Sequence, residues 1–304
     1  MRYNRLTDNE VEADYSICCR IVDRQFKFDE KTRDSILEIL WEAADFSGVT
    51  VIDFALMSNH FHLQVRVKPK ATAVGRDEVV RRVGVLYGEK KRLRLEKQLG
   101  ALVANGEEDA GEMLLAPFRA RMNDLSEFMK SFKQRVTMRY NNSHNRTGTL
   151  WEGRFRSTLI ERTADLALLR KVAAYMDLNP MRAGIADAPE SYRWCGFGLA
   201  CIEGKRGERG RGGLALLYPG EDPDSFLEKH RALLLARFRK KGMNRRRPAM
   251  DDDFSGRQSC MTFSRVIGSR AFVARAVGKR PPGGMIPLAD GYVAVGRERR
   301  RKRP

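Results

Sequence analysis

Hydrophobic and polar positions along the chain change period several times, and each change predicts an element. The segment Tyr15-Ser16-Ile17-Cys18-Cys19-Arg20-Ile21-Val22 has the β-branched content of a first strand. From Glu30 to Phe46 the apolar residues Ile36, Leu37, Leu40 and Ala44 recur at helical spacing, with Asp29 placed as N-cap and Gly48 as the left-handed end. A hairpin follows, strands 49–57 and 60–67 turned at Ser58-Asn59 and ended by Pro69. Residues 70–117 break this rhythm and read as an insertion: a helix from Asp77 to Tyr87, a basic helical stretch from Lys90 to Gln98, and a loop from Asn105 to Gly111. Regular structure resumes at Asp124, three residues before Glu127 in a variant of the capping box. Phe128, Met129, Phe132, Val136 and Tyr140 then form an apolar stripe backed by basic residues that include Arg135 and Arg139, and Asn141-Asn142-Ser143-His144-Asn145 marks the end. The run Gly148 to Glu161 is a loop feeding a strand.

This order, β-α-β-β-α-β, is the split pattern of an α+β, ferredoxin-like antiparallel sheet. The topology puts the first and third strands at the centre, so the strand 60–67 has one face under the two helices and the other open. A further helix is expected to cover the open face, capped by Thr163, running from Ala164 to Asn179 and stopped at Pro180. At ~100° per residue, Leu168, Val172, Tyr175 and Asn179 share one stripe of it. Beyond Trp194 the pattern weakens. Residues 202–214 are rich in Gly and Arg and read as a flexible linker or loop, a helix is expected from Asp224 to Lys240, and Phe263 to Val277 reads as a strand, a glycine turn and a short basic helix. The expected organisation is a domain over 10–200 with the insertion at 70–117, then a basic C-terminal extension over 201–304 whose tail, 295–304, is disordered.

Composition sharpens the class. The 57 Lys and Arg residues against 39 Asp and Glu give a formal net charge of +18. Such an excess favours a polyanionic partner, and nucleic acid is the usual one. Some of the charge sits in runs that read as solvated faces or tails: Lys90-Lys91-Arg92-Leu93-Arg94, Lys240-Lys241, Arg245-Arg246-Arg247 and Arg297-Glu298-Arg299-Arg300-Arg301-Lys302-Arg303. The 5 cysteines, without C-x-x-C spacing, fit reduced thiols, with Cys18 and Cys19 packed within a strand. Apolar runs fall short of a membrane span and the N-terminus lacks a signal-peptide core, so the expected location is the cytoplasm.

The chemistry centres on Asn59-His60-Phe61-His62-Leu63-Gln64-Val65. In a strand His60 and His62 share one face, with Cα atoms roughly 7 Å apart, a spacing that suits one metal ion and equally suits two solvated polar residues. Tyr175 and Asn179, on the helix expected over that face, are either a core aromatic and a helix cap or a nucleophile and a metal ligand. Two imidazoles and an amide oxygen leave open positions on a divalent ion, beside which a tyrosine hydroxyl can attack a phosphodiester.

Three runs together carry a family resemblance. Met57-Ser58-Asn59-His60-Phe61-His62-Leu63-Gln64-Val65 is similar to the M-P-N-H-F-H-L-L-V hallmark of the single-tyrosine HUH transposases, the group that includes IS200-like and REP-associated tyrosine transposases. Tyr175-Met176-Asp177-Leu178-Asn179-Pro180-Met181-Arg182-Ala183-Gly184 resembles their Y-I-H-L-N-P-V-R-A-G, and Gly148 to Ser157 resembles G-x-L-W-x-x-R-F-K-S. Ser58 stands where proline is usual, and Val136 and Met138 replace polar or aromatic residues often seen in the preceding helix. The resemblance implies His60 and His62 as ligands of Mg²⁺ or Mn²⁺, Asn179 as the third ligand, and Tyr175 as the nucleophile of a 5′-phosphotyrosine intermediate. The implied partner is single-stranded DNA flanked by a hairpin, cut and rejoined. Arg154, Arg156, Arg135 and Arg139 are expected backbone contacts, and Tyr140 is the competing nucleophile. Two other readings stay open: a catalytically silent DNA-binding protein on the same surface, and a metal-dependent phosphodiesterase using water. Monomer or homodimer, and a site formed in one subunit or between two, are equally open.

Overall fold

The structure, a computed structural model, describes residues 6–25, 27–239, 264–277, 286–288 and 291–296. Lys240-Lys241, Arg245-Arg246-Arg247, Cys260, Phe263 and the tail from residue 297 lie outside the described residues.

The expected order of elements is present: β1 (Ala13–Arg20), α1 (Glu30–Ser47), β2 (Thr50–Leu56), β3 (His60–Val67), α5 (Leu125–Ser143) and β4 (Arg156–Ile160), with the insertion α2 (Arg76–Tyr87), α3 (Glu89–Ala104) and α4 (Glu108–Arg119) between β3 and α5. Local chemistry sets the boundaries. The Asp29 carboxylate accepts the Thr32 N–H at 2.8 Å to start α1, and Gly48, with φ of 66°, ends it. Asp124 accepts from Ser126 and Glu127 at 2.8 and 3.0 Å to start α5, while the Glu127 side chain turns to Lys130 instead of closing a capping box.

β3 lies between β2 and β1, antiparallel to both, in a seven-stranded sheet of order β2-β3-β1-β4-β5-β7-β6. The first four strands are the ferredoxin-like set. Beyond β4 the sheet is extended by β5 (Ser264–Gly268), which runs parallel to β4, and by β6 (Ile286–Pro287) and β7 (Val293–Gly296). One face is covered by α1 and α5. There Phe61 meets Phe132 and Trp151 edge-on, with centroids 5.4 and 5.5 Å away, and Leu63 and Val65 are fully buried. Full burial of such side chains stabilises by about 1.5–3 kcal/mol each. The insertion has a core of its own around Val79, Val83, Leu95, Leu99 and Leu115, joined to α1 through Phe46.

The opposite face is covered by α6 (Ala167–Asp177), followed by the short α7 (Asn179–Arg182), α8 (Gly196–Ala200), α9 (Gly204–Ala215) and α10 (Pro223–Arg239). The helix α11 (Arg270–Val277) follows β5. Several expectations are corrected here. α6 starts at Ala167, because the Thr163 hydroxyl bonds the Asp165 carboxylate, and that carboxylate accepts the Ala167 N–H at 3.0 Å; Leu166, with φ of 54°, makes the bend. Pro180 does not stop the chain but sits in the first turn of α7, where its missing N–H costs nothing. The Gly-rich segment 202–214 is not a linker but α9, packed on β2 and α8. Its glycines allow this close approach, since a Cβ on Gly213 would lie 2.4 Å from the Ile52 carbonyl oxygen and one on Gly210 would lie 2.6 Å from the Ala200 nitrogen. The loop expected over 105–111 is shorter, because Glu108–Gly111 begin α4. Residues 295 and 296, assigned to a disordered tail, belong to β7.

Candidate active site

Strand alternation directs His60, His62, Gln64 and Arg66 to the face beneath α6. The imidazoles of His60 and His62 are 5.1 Å apart by centroid and nearly perpendicular, at 85°. His62 is buried, 3% exposed, and His60 is partly exposed at the strand's start. Burial, with the Arg20 guanidinium nearby, lowers the pKa of His60 to about 4, and burial with His60 and Arg20 lowers that of His62 as well. Both rings are therefore neutral near pH 7, the form that binds metal. The His60 Nδ1 lies 2.6 Å from the Asn59 side-chain oxygen; with its hydrogen there, Nε2 is left for coordination.

α6 brings the third ring to this pair. Tyr175 is half-buried and meets His62 edge-on at 5.9 Å and 88°. The helix is held to the strand by the Gln64 amide, which donates to the Leu169 carbonyl oxygen at 3.3 Å. Asn179 stands one turn past Tyr175, its Nδ2 donating to the carbonyls of Tyr175 and Met176 at 2.9 and 3.2 Å. The side-chain nitrogen is thus engaged in closing the helix, and the remaining Oδ1 is the atom suited to a cation. Among the described residues no cluster of three or more His, Cys, Asp or Glu side chains could hold a metal. What the strand face does present is a pair of neutral imidazoles, the kind of open donor pair that could take part in holding a divalent ion.

Three further residues at the site escaped sequence reading. Arg20 is the register partner of His60 across β1 and β3, and its guanidinium reaches the Cys18 thiol; among the described residues no carboxylate pairs with it. By contrast Arg66 on β3 and Arg162, just past the end of β4, both clamp Asp14, at 2.8 and 2.6 Å. Arg182 lies over the Tyr175 ring at 5.2 Å and donates to the Tyr175 carbonyl at 3.3 Å. Its seven-residue spacing from Tyr175 carries the signal that could have shown it. Asn59, the partner of His60, has no signal beyond adjacency.

The expected DNA-contacting arginines separate. Arg156 shares a cross-strand row with Cys18 and His62, which places it on the histidine face about 10 Å away across two strand spacings. Arg154 is exposed in the loop before β4. Arg135 and Arg139 are on α5, behind the sheet. Arg135 donates to the Leu86 carbonyl and lies 5.7 Å over the Tyr87 ring, so it fastens the insertion. Both line a cleft of about 650 Å³ with Glu42, Tyr87 and Arg121. Tyr140 is also on that layer, stacked on His144 at 4.0 Å and edge-on to Phe28, with its hydroxyl pKa raised by burial. The structure does not bring Tyr140 to the histidines.

No helix among the described residues is long and apolar enough to cross a membrane. A solved REP-associated tyrosine transposase bound to a REP hairpin is similar to 65% of this chain and 83% of its own, at 11% identity and a TM-score of 0.41. No curated protein matches the chain. The model of the family described as IS200-like transposases matches residues 10–80. The matched residues hold β1, α1, β2 and the histidine strand β3.

Proposed function

We propose that the chain nicks and rejoins single-stranded DNA beside a hairpin, through a 5′-phosphotyrosine on Tyr175 and with Mg²⁺ or Mn²⁺ held by His60, His62 and Asn179. The observation that carries the reading is the meeting of the neutral His60–His62 pair with the Tyr175 ring on one face of the sheet. A divalent ion bound there supplies Lewis-acid polarisation of the scissile phosphate. The chain's own residues do the rest. The Tyr175 hydroxyl oxygen forms a bond to phosphorus as the bond from phosphorus to the 3′ oxygen breaks. Its proton leaves to solvent, and the departing 3′ oxygen takes up a proton from solvent, so the cut strand ends in a 3′-hydroxyl. The Arg182 guanidinium, 5.2 Å over the ring, holds the Tyr175 side chain in orientation. Because the phosphodiester bond is exchanged and not hydrolysed, attack by a 3′-hydroxyl on the phosphotyrosine rejoins DNA. Arg20 and Arg156, on the same face, offer guanidinium groups to backbone phosphates.

The test is incubation with labelled hairpin oligonucleotides and Mn²⁺, followed by denaturing electrophoresis. The reading expects a covalent adduct, lost on chelation and in His60→Ala. Cleavage without any adduct would instead favour water as nucleophile, and binding without cleavage a silent DNA-binding protein.

A further inference from the structure

Two residues past Tyr175 on α6, the Asp177 side chain leaves the helix about 200° further round, on the side away from the histidines. It is fully buried. Its Oδ1 accepts the Phe197 N–H of α8 at 2.9 Å, and its Oδ2 lies 2.9 Å from Nε2 of His230 on α10. The other ring nitrogen of His230, Nδ1, is 3.0 Å from the Tyr218 hydroxyl. Asp177 and His230 are 0% exposed and Tyr218 is 5% exposed. One arrangement of protons uses every atom: Nε2–H donates to Asp177, and Nδ1 accepts from Tyr218. The beginning of α6 is tied to the same region, since Arg170 donates to the Leu217 carbonyl at 3.2 Å and lies 5.3 Å over the Tyr218 ring.

We propose that this chain of buried polar contacts is a latch through which α10 fixes the rotation and depth of the tyrosine helix, making His230 and Tyr218 positioning residues for Tyr175. The inference rests on the phosphotyrosine reading above. A buried ionic or polar pair contributes little net stability against an apolar alternative, but it specifies one arrangement of the elements it joins when all its members are satisfied. On α6 that arrangement matters. Tyr175 and Asp177 leave opposite sides of one helix, so a helix rolled to release Asp177 would also turn Tyr175 away from His62. Attack in line needs the reacting atoms about 3–3.5 Å apart, and a displacement of ~1 Å can cost ~100-fold in rate. The latch also gives the residues after 200 a part in the active site without contact to substrate. It joins α6 to α10 of its own chain, which favours a site completed within one subunit.

The experiment is a single-turnover time course of adduct formation on the full chain, using a hairpin oligonucleotide with single-stranded flanks that traps the wild-type protein. The rate constant reports positioning, while the amplitude reports the fraction of folded chain. For His230→Ala the rate constant is expected to fall at least tenfold, with DNA affinity and Mn²⁺ affinity within twofold of wild type. His230→Gln, which keeps a donor for Asp177, is expected to recover most of the rate. Tyr218→Phe, which removes one hydroxyl, is expected to slow the step severalfold and serves if His230→Ala does not fold. A wild-type rate constant in His230→Ala, or in Tyr218→Phe where that variant decides, overturns the latch, as does a His230→Gln chain no faster than His230→Ala. An oligonucleotide panel on which even wild type forms no adduct overturns the phosphotyrosine reading and the latch with it. Mixing His60→Ala with Tyr175→Phe chains checks the subunit arrangement: no adduct is expected, and restored adduct would contradict assembly within one chain.

Discussion

At the scale of single residues, the arginines and carboxylates near the site separate by whether they have partners. Arg66 and Arg162 are neutralised by Asp14, whereas Arg20 stands beside His60 without a carboxylate among the described residues. If Arg20 takes a DNA phosphate, Arg20→Ala should weaken binding to all sequences alike. The slope of log affinity against log salt is expected to fall by about 0.7–0.9, measured by fluorescence anisotropy across a salt series. An unchanged slope would show that Arg20 only tunes the histidines. Asp53 is the opposite case. It is buried on β2, no side chain among the described residues donates to its carboxylate, and burial with Asp177 close by pushes its pKa well above the ordinary carboxylate range. The folded chain therefore holds a proton that the unfolded chain releases, so this group's contribution to stability is present at low pH and declines as pH rises from about 4 through its folded-state pKa. Asp53→Asn should remove that decline. Urea denaturation is expected to show the variant more stable than wild type at pH 8, by about 1 kcal/mol or more, with a smaller difference at pH 5. A gap that stays constant between the two pH values would contradict a protonated Asp53.

At the scale of elements, the regular βαββαβ unit was legible because its signals are local. Asp29 and Asp124 cap their helices as the sequence implies, Gly48 closes α1, and the alternation in residues 60–67 gives the histidines one face. The face-sharing of Tyr175 and His62 was legible too, through helical spacing over an exposed strand face. What was not legible depended on tertiary partners. Nothing local in Gly204-Lys205-Arg206-Gly207-Glu208-Arg209-Gly210 marks a helix, since glycine costs ~1 kcal/mol per position there relative to alanine. Packing overrides that preference, because the glycines let α9 lie against β2 and α8. Gly213→Ala is accordingly expected to destabilise the chain by about 1–3 kcal/mol through its clash with the Ile52 carbonyl, despite alanine's better helix propensity. Exposed Gly212, where a Cβ meets nothing, is the control: Gly212→Ala should be neutral or stabilising. Thermal denaturation of the two variants decides, and equal melting temperatures would show that α9 is not held against β2. The surroundings of Arg135 depend on tertiary partners in the same way. Its basic helical face fits DNA, but the face turns toward the insertion and Arg135 closes the end of α2.

At the scale of the whole molecule, the sheet separates two jobs. The layer of α1 and α5 forms the main core and carries the insertion, with Tyr140 and Arg139 on it. The layer of α6 to α10 carries Tyr175 over the metal-suited pair and ties it to the C-terminal helices. Among the described residues, the sheet face under that second layer brings together the Tyr175 ring, two neutral imidazoles and Arg20. The net charge of +18 belongs to the whole chain, so binding strength alone does not locate the active face. Bond-making does. The most direct measurement is trapping of labelled hairpin DNA with Mn²⁺ by wild-type protein, Tyr175→Phe and Tyr140→Phe. The account expects an adduct with wild type and with Tyr140→Phe, and none with Tyr175→Phe. An adduct that persists in Tyr175→Phe but vanishes in Tyr140→Phe would contradict it.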